Sequence, residues 1–145
     1  MRFTDKVAVI TGGGSGIGRA TAQLMAPEGA KIAVVDVIPA SISAVVQTIE
    51  ANGGTVITVQ ADVLSEREVD RLVQTVVGHY GRIDILVNAV GGSTIIERSG
   101  ATVEELTLDD WERVLAFNLR GTFLCTHAVS PQMKRQGGGR IVNIS

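Results

Sequence analysis

The residues from Thr11 to Gly18 read Thr-Gly-Gly-Gly-Ser-Gly-Ile-Gly and are the segment best suited to do chemistry. They follow an apolar, β-like segment at residues 7–10 and open a segment of helical pattern. A glycine-rich turn between a strand and a helix lets backbone N–H groups and the helix dipole hold a phosphate. The segment therefore predicts a site for a dinucleotide.

The spacing of these glycines is informative as well. The common G-x-G-x-x-G pattern does not fit, because that register places Ile17 at the third glycine. Gly12, Gly16 and Gly18 follow G-x-x-x-G-x-G instead. An ordinary turn is the alternative interpretation of such a string, but the strand before it and the helix after it favour phosphate binding.

Asp36 ends the second apolar, β-like segment. A carboxylate in that place accepts hydrogen bonds from the adenosine ribose hydroxyls of NAD, and it repels the 2′-phosphate of NADP. The glycine turn contains no arginine or lysine that would attract this phosphate. We therefore predict NAD as the cofactor, with a helix N-cap or a solvated aspartate as the alternatives for Asp36.

Two further polar positions follow strand-like segments. Asp62 and Val63 come after the third segment, and Asn88 comes at the end of the fourth. Because the carboxyl ends of parallel strands meet at one edge of a sheet, these residues would lie beside the glycine turn. Either position could instead be a turn that merely ends its strand.

The elements that must position these residues alternate along the chain. Short β-branched runs predict strands at residues 7–11, 31–36, 55–60, 83–88 and 140–144. Longer periodic segments predict helices at residues 16–26, 39–52, 65–79 and 108–136. The alternation predicts an α/β fold, with a doubly wound parallel sheet (Rossmann fold) covered by helices on both faces. Nothing suggests a second domain within residues 1–145.

Residues 91–107 have no clear period and contain several glycines. The segment would emerge from the carboxyl end of the fourth strand, where ligands bind in open α/β sheets. We therefore expect a mobile loop that borders the site. Trp111 lies in the helix that follows, and we expect it to pack that helix against the sheet.

The composition argues against several other classes of protein. The chain has 13 basic and 15 acidic residues and a formal net charge of -2, so we expect no nucleic-acid partner. No apolar run is long enough to span a membrane and no signal-peptide pattern precedes the first strand, so we expect a cytoplasmic protein. Cys125, the single cysteine, has no partner for a disulfide or a zinc site, and we expect no metal.

Several of these motifs, taken in order, make the chain similar to the N-terminal part of the classical short-chain dehydrogenase/reductase family. The segments that carry the resemblance are residues 11–18, 36, 62–63, 81–88, 111–121 and 139–145. One departure follows the fourth strand, where the family usually has Asn-Asn-Ala-Gly and this chain has Asn88-Ala89-Val90-Gly91. Ala89 lacks an amide at the second position, so the hydrogen bonding there must differ.

The resemblance implies a role for each candidate residue. The implied cofactor-binding residues are Gly12, Ser15, Gly16, Ile17 and Gly18 at the pyrophosphate, Asp36 at the adenosine ribose, Asp62 and Val63 at the adenine, and Asn88 in the wall beside the nicotinamide half. The implied catalytic residue is Asn118, whose backbone carbonyl would anchor a water in a proton relay. Without the resemblance, Asn118 would be a helix-interior asparagine that makes a local backbone hydrogen bond.

The reaction that the resemblance implies is hydride transfer between nicotinamide and a secondary alcohol or ketone. In the family a tyrosine handles the proton, a lysine four residues later lowers its pKa, and a serine polarises the carbonyl. Tyr80 is the only tyrosine here, and Asp84 follows it at the lysine position, so Tyr80 is not that tyrosine. The serine would be the residue after Ser145, or Ser145 itself. We therefore expect the polypeptide to continue beyond residue 145, into a Tyr-x-x-x-Lys region.

Three functions stay open at this point. The first is an NAD-dependent enzyme that acts on a small-molecule alcohol or carbonyl compound. The second is an NAD-binding module without turnover, and the third is a Rossmann-like methyltransferase, which the glycine spacing fits poorly. The resemblance also implies a homo-oligomer, a tetramer or dimer, because in this family the helix at residues 119–136 and the next helix usually form a four-helix interface.

Overall fold

The computed structural model describes residues 1–144, and its centre is one parallel β-sheet. The strands are β1 (Val7–Thr11), β2 (Lys31–Asp36), β3 (Thr55–Gln60), β4 (Ile85–Asn88) and β5 (Arg140–Asn143). They lie in the order β3-β2-β1-β4-β5, and every neighbouring pair is parallel. The order reverses between β1 and β4, and a crevice opens at such a point outside the carboxyl ends of the strands. The predicted fold class is confirmed.

Helices cover both faces of this sheet. They are α1 (Gly16–Met25), a 3-10 turn (Ala26–Glu28), α2 (Pro39–Ala51), α3 (Glu66–Tyr80), a second 3-10 turn (Val103–Glu105), α4 (Leu108–Leu115), a π turn (Ala116–Arg120) and α5 (Gly121–Arg135). The single long helix predicted at residues 108–136 is thus two α-helices joined by a π turn. None of the helices within residues 1–144 is long and apolar enough to cross a membrane.

Alternate residues of the central strands enter two separate hydrophobic cores, because successive side chains of a strand point to opposite faces. The core on one face contains strand residues Val7, Val9, Ala33, Val35 and Leu86, packed with Val69, Leu72, Val76, Cys125, Val129 and Met133 of α3 and α5. The core on the other face contains Ala8, Ile10, Ile32, Val34 and Val87, packed with Ala22, Met25, Ile42, Val45 and Ile49 of α1 and α2. The near-continuous apolar strands follow from burial on both faces.

Trp111 does not pack α4 against the sheet, and that prediction is wrong. Its side chain is 54% exposed. Leu108, Leu115, Leu119 and Phe123 are also exposed on α4, the π turn and the start of α5. The apolar pattern of this segment is therefore not used by the cores of the sheet.

A buried carboxylate fixes the opposite edge of the sheet, where the strands begin. Asp84 accepts hydrogen bonds from the N–H of Val7 at 3.0 Å, from Arg82 Nε at 2.8 Å and from Arg82 Nη2 at 2.6 Å. Burial by itself raises the pKa of Asp84, but these hydrogen bonds and the charges of Arg82 and Lys6 outweigh it, so the pKa lies below its ordinary value. The ionised carboxylate thus ties the chain before β4 to the start of β1.

We predict that Asp84→Asn lowers the free energy of unfolding of the full-length protein by about 1–3 kcal/mol at neutral pH, because a buried donor loses its charged acceptor. A lowered folded-state pKa stabilises the fold above the ordinary carboxyl pKa, and this stabilisation is lost as pH falls through the folded-state pKa. Urea unfolding at stepwise lower pH should therefore show the gap to the unsubstituted protein closing below about pH 4. Asp70→Asn, on the exposed face of α3, is the control and should change stability little at any pH.

Candidate cofactor-binding site

A pocket lies at the carboxyl edge of the sheet and brings together five of the predicted site residues. These are Gly12, Ser15, Asp36, Asp62 and Val63. The remaining lining residues are mostly apolar: Val35, Val37, Ala61, Ala89, Val90, Gly91 and Phe117. Gly91 begins the loop expected at the border of the site. The other six were not predicted as site residues, although most of them adjoin one in the chain. They provide apolar walls around a small number of polar groups, the usual composition of a ligand pocket.

The glycine turn brings the start of α1 into direct contact with the end of β1. Gly12 and Gly16 have positive φ values of 63° and 50°, which glycine adopts most readily. A Cβ atom on Gly18 would collide with the backbone carbonyl of Gly12, and a Cβ on Gly12 would lie 2.8 Å from the backbone oxygen of Ala89. Gly12 and Gly16 thus permit the left-handed backbone of the turn, and Gly12 and Gly18 permit the close approach of neighbouring backbone.

The N-terminus of α1 is left open toward solvent. Ser15 is the N-cap residue, yet within the described part of the chain its side chain makes no cap hydrogen bond. The N–H groups of the first helical residues, Gly16, Ile17 and Gly18, have no intrahelical acceptor by geometry. The first turn also contains no acidic residue. Free N–H groups and the positive end of the helix dipole therefore make this end of α1 suitable for an anion.

Asp36 lies at the tip of β2, next to the glycine turn. Its Oδ2 atom accepts a hydrogen bond from the N–H of Gly14 at 3.0 Å, and its Oδ1 atom accepts one from the N–H of Ile38 at 3.2 Å. The N-cap of α2 is Ile38, so Asp36 is not a helix N-cap. Each carboxylate oxygen can accept a second hydrogen bond, which leaves capacity for a ligand hydroxyl.

Asp62 and Val63 follow β3 and form another side of the pocket. Asp62 Oδ1 accepts a hydrogen bond from the N–H of Leu64 at 2.9 Å, and the N–H of Asp62 donates to Glu68 Oε2 at 2.7 Å. Val63 is buried and packs against the start of α5, where a Cβ on Gly121 would lie 2.6 Å from Val63 Cγ2. The turn after β3 is therefore held by α3, through Glu68, and by α5, through the contact of Val63 with Gly121.

The side chain of Asn88 points toward α5 and β5 rather than into the pocket. It is 2% exposed, and its Nδ2 atom donates to Asn143 Oδ1 at 2.9 Å and to Thr126 Oγ1 at 3.4 Å. Its Oδ1 atom has no hydrogen-bond partner among residues 1–144. The pocket wall after β4 is formed by Ala89, Val90 and Gly91. A place for Asn88 beside the nicotinamide half stays a prediction, and its backbone rather than its side chain would have to provide the contact.

The departure at Ala89 is accommodated by the backbone. The N–H of Ala89 donates to Thr11 Oγ1 at 3.3 Å, and the same hydroxyl donates to the carbonyl of Val87 at 3.3 Å. The segment after β4 is thus fastened to the end of β1 without a second asparagine amide.

Asn118 lies in the π turn and fastens the same segment from the other side. Its Oδ1 atom accepts from the N–H of Gly92 at 2.8 Å, and its Nδ2 atom donates to the carbonyls of Gly92 at 2.9 Å and Val114 at 2.8 Å. The local backbone bond considered as the alternative is therefore present, together with a two-point contact across the loop. The backbone carbonyl of Asn118 accepts from Thr122 Oγ1 at the long distance of 3.4 Å.

Tyr80, the only tyrosine of the chain, is half-buried against a core and is not among the residues that line this pocket. The Tyr80 hydroxyl donates to the carbonyl of Ile32 at 3.3 Å, and burial raises the pKa of Tyr80 to about 12. This geometry agrees with its exclusion as a proton-transferring group. Ser145, considered for the catalytic serine, lies outside the described residues. Within residues 1–144, no three His, Cys, Asp or Glu side chains form a group that could hold a metal ion.

A wider cleft at the opposite edge of the sheet is a weaker candidate. It has a volume of about 410 Å³, and its lining includes Arg2, Lys6, Arg82, Asp84 and Arg140. Arg82 is paired with Asp84 and Arg2 with Glu28, so much of its charge is already neutralised. It also lies away from the glycine turn and from the carboxyl ends of the strands.

Comparison with known proteins decides the family. A family model described as short chain dehydrogenase matches residues 6–145. The chain belongs to this family. The chain is 45% identical over 145 residues to a 3-oxoacyl-[acyl-carrier-protein] reductase of Synechocystis sp., and this match covers 99% of the chain and 56% of the reductase.

Solved structures agree with the sequence match. A 7α-hydroxysteroid dehydrogenase complexed with NADH and 7-oxo glycochenodeoxycholic acid has a TM-score of 0.90 at 33% identity, and the match covers 99% of this chain and 54% of that one. An NAD⁺-bound xylitol dehydrogenase has a TM-score of 0.91 at 37% identity, and the match covers 99% of this chain and 54% of that one. The chain thus spans about half the length of the short-chain dehydrogenases that it matches.

We predict that Gly18→Ala lowers the free energy of unfolding by about 1–3 kcal/mol, because the added methyl group forces α1 away from the end of β1. Gly78→Ala is the matched control, since a Cβ there meets no atom within 4 Å. It should raise the free energy of unfolding by about 0.5–1 kcal/mol, the usual gain for Gly→Ala inside a helix. Urea unfolding of both full-length variants measures the difference, and equal stabilities would contradict the close approach at Gly18.

Proposed function

We propose that this protein is an NAD(H)-dependent oxidoreductase that interconverts a secondary alcohol and a ketone by hydride transfer. The observation that carries the proposal is the combination, around one pocket, of the open N-terminus of α1 and the Asp36 carboxylate. The first is suited to a diphosphate and the second to sugar hydroxyls. Membership of the short-chain dehydrogenase family supports an oxidoreductase, and we propose that its substrate is a small alcohol or carbonyl compound.

The diphosphate would be held by the glycine turn and α1. The N–H groups of Gly16, Ile17 and Gly18 and the hydroxyl of Ser15 are the donors, and Gly12 keeps the turn close to the end of β1. Backbone donors suit a ligand of fixed charge because they cannot titrate and cost little reorganisation on binding.

Asp36 is the basis for proposing NAD rather than NADP. Its carboxylate would accept hydrogen bonds from the hydroxyls of the adenosine ribose, and it would repel a 2′-phosphate at the same position. Among residues 1–144, no arginine or lysine lines the pocket, so no described side chain there would attract that phosphate. The NADH and NAD⁺ named for two similar solved structures are consistent with this choice.

The adenine and the nicotinamide of the cofactor would lie on opposite sides of the pocket. Asp62 and Val63 would contact the adenine, beside the apolar side chains of Val37 and Ala61. The nicotinamide half would lie toward the segment that begins at Asn88 and continues through the other wall of the pocket. When bound, the nicotinamide ring supplies the hydride acceptor or donor.

Asn118 is proposed as the catalytic residue that this chain contributes. Its side-chain amide holds both backbone groups of Gly92, so the loop beside the nicotinamide half is fixed to the π turn. Its backbone carbonyl has a second lone pair, beyond the long contact with Thr122, that could accept from a water in a proton relay. In this proposal Tyr80 is not the proton-transferring tyrosine, because its hydroxyl is bonded to the carbonyl of Ile32 and Asp84 stands at the lysine position.

We predict that the full-length protein binds NADH at least about tenfold more tightly than NADPH, because the 2′-phosphate would meet the Asp36 carboxylate. Titration calorimetry with both cofactors measures this difference. The nicotinamide absorbance, followed with a panel of secondary alcohols and ketones, measures turnover.

Three other results would contradict the proposed cofactor or the proposed reaction. Tighter binding of NADPH would overturn the choice of cofactor, and NADH binding without turnover on any substrate would favour a binding module. Thermal stabilisation by S-adenosylmethionine but not by NADH would support a methyltransferase.

We also propose that the exposed apolar face of α4, the π turn and α5 is a contact between copies of this protein. Trp111, Leu115, Leu119 and Phe123 lie four residues apart along this face, and all are exposed. A row of large apolar side chains at one face is typical of a helix that packs on a partner. The four-helix interface usual in this family favours a second copy as that partner.

Phe123→Glu should therefore shift the full-length protein toward smaller species in sedimentation velocity, because a charge would be buried in the contact. Leu24→Glu is the control, since Leu24 is 70% exposed on α1, away from this face. A sedimentation coefficient unchanged by Phe123→Glu would contradict the proposed contact.

A further inference from the structure

The ladder between β1 and β2 continues into the glycine turn. The last paired residues of the two strands are Thr11 and Val35. Beyond them the N–H of Gly13 donates to the carbonyl of Val35 at 3.0 Å, and the N–H of Gly14 then donates to Asp36 Oδ2 at 3.0 Å. The last rung of the ladder is thus made by a side chain, which takes the place of a backbone carbonyl.

The Asp36 carboxylate is held tightly where it makes this rung. Its second oxygen accepts from the N–H of Ile38, so the group is fixed from both the glycine turn and the turn before α2. There is no free space on the side of Gly14. A Cβ atom there would lie 2.8 Å from Asp36 Oδ2 and 2.7 Å from the Cβ of Ser41.

We propose that Asp36 is a positioning residue for the phosphate-binding turn in addition to its contact with the ribose. This inference rests on the proposed function, because it concerns the same cofactor. The hydrogen bond from Gly14 sets the direction of the turn before a ligand arrives, and it removes the N–H of Gly14 from the donors available to a phosphate. The donors that remain are those of Ser15 and the first turn of α1.

A positioning role and ribose recognition alone predict different affinities for a ligand that lacks the adenosine ribose. A ligand that lacks the adenosine ribose makes no contact with Asp36, so its affinity depends on Asp36 only through the order of the turn. Reduced nicotinamide mononucleotide is such a ligand, because it keeps one phosphate and the nicotinamide ring and lacks the adenosine half. Its binding should therefore depend on Asp36 if the carboxylate orders the turn.

The test compares Asp36→Ala with Asp62→Ala in the full-length protein. Both substitutions remove a carboxylate from the same pocket, but Asp62 makes no hydrogen bond to the glycine turn. In the cofactor-free protein, hydrogen exchange of the Gly14 amide should become faster by about tenfold in Asp36→Ala, the loss expected for one hydrogen bond to a charged group. It should be unchanged in Asp62→Ala. Reduced nicotinamide mononucleotide should bind Asp36→Ala about three- to tenfold more weakly.

Gly14→Ala tests the same coupling from the other side. Gly14 has no positive φ, so alanine is compatible with its backbone, and the conflict is with Asp36 and Ser41. The displaced carboxylate should reduce the preference for NADH over NADPH, although residue 14 itself makes no proposed contact with the ribose. This variant keeps the inference testable if Asp36→Ala does not fold.

The outcomes distinguish the inference from the proposed function. Unchanged exchange at Gly14, or unchanged affinity for the mononucleotide, in Asp36→Ala would overturn the positioning role and leave NAD binding intact. An unchanged cofactor preference in Gly14→Ala would overturn it as well. If the unsubstituted protein bound neither NADH nor NADPH, the proposed function would fail, whereas hydrogen exchange would still report whether Asp36 orders the turn.

Discussion

The parallel pairing of β1 with both β2 and β4 is the constraint on which the rest of the structure depends. It brings the carboxyl ends of three strands to one edge and leaves a crevice where the strand order reverses. The turns that follow these strands must then share a small space. Glycine meets this requirement at Gly12 and Gly18, where any Cβ would contact backbone atoms across the turn.

The same constraint explains why the pocket is built largely from backbone and short side chains. Thr11, Asp36 and Asn118 each use their polar atoms to hold a neighbouring loop, through the backbone of Ala89, Gly14 and Gly92 respectively. Each of these contacts joins segments distant in sequence, so the pocket depends on the assembled sheet. The walls are apolar, and the first turn of α1, whose N–H groups have no intrahelical acceptor, contains no acidic residue.

The local sequence pattern was sufficient to predict the bounds of three strands, but not those of the fourth strand or the long helix. The strands at residues 7–11, 31–36 and 55–60 have the predicted bounds. Short runs of β-branched residues strongly favour strands, and the glycine or aspartate residues near them favour turns. The fourth strand begins at Ile85 rather than at Ile83, since Asp84 is used to bind Arg82 and the start of β1. The long helix is interrupted by a π turn around Asn118, whose amide bonds to the distant Gly92, and periodicity carries no signal for such a contact.

The sequence by itself determined the α/β class, the position of the glycine turn, the acidic residue at the tip of β2 and the resemblance to short-chain dehydrogenases. These depend on residue type and spacing, which are properties of neighbouring positions in the chain. Only the tertiary structure decided that Asn88 turns its amide toward α5 and β5, that Trp111 stays exposed, and that Asp36 holds Gly14. Each of these depends on which distant groups meet across the sheet, because a polar side chain forms its hydrogen bonds with whatever partner the packed strands and helices bring within reach.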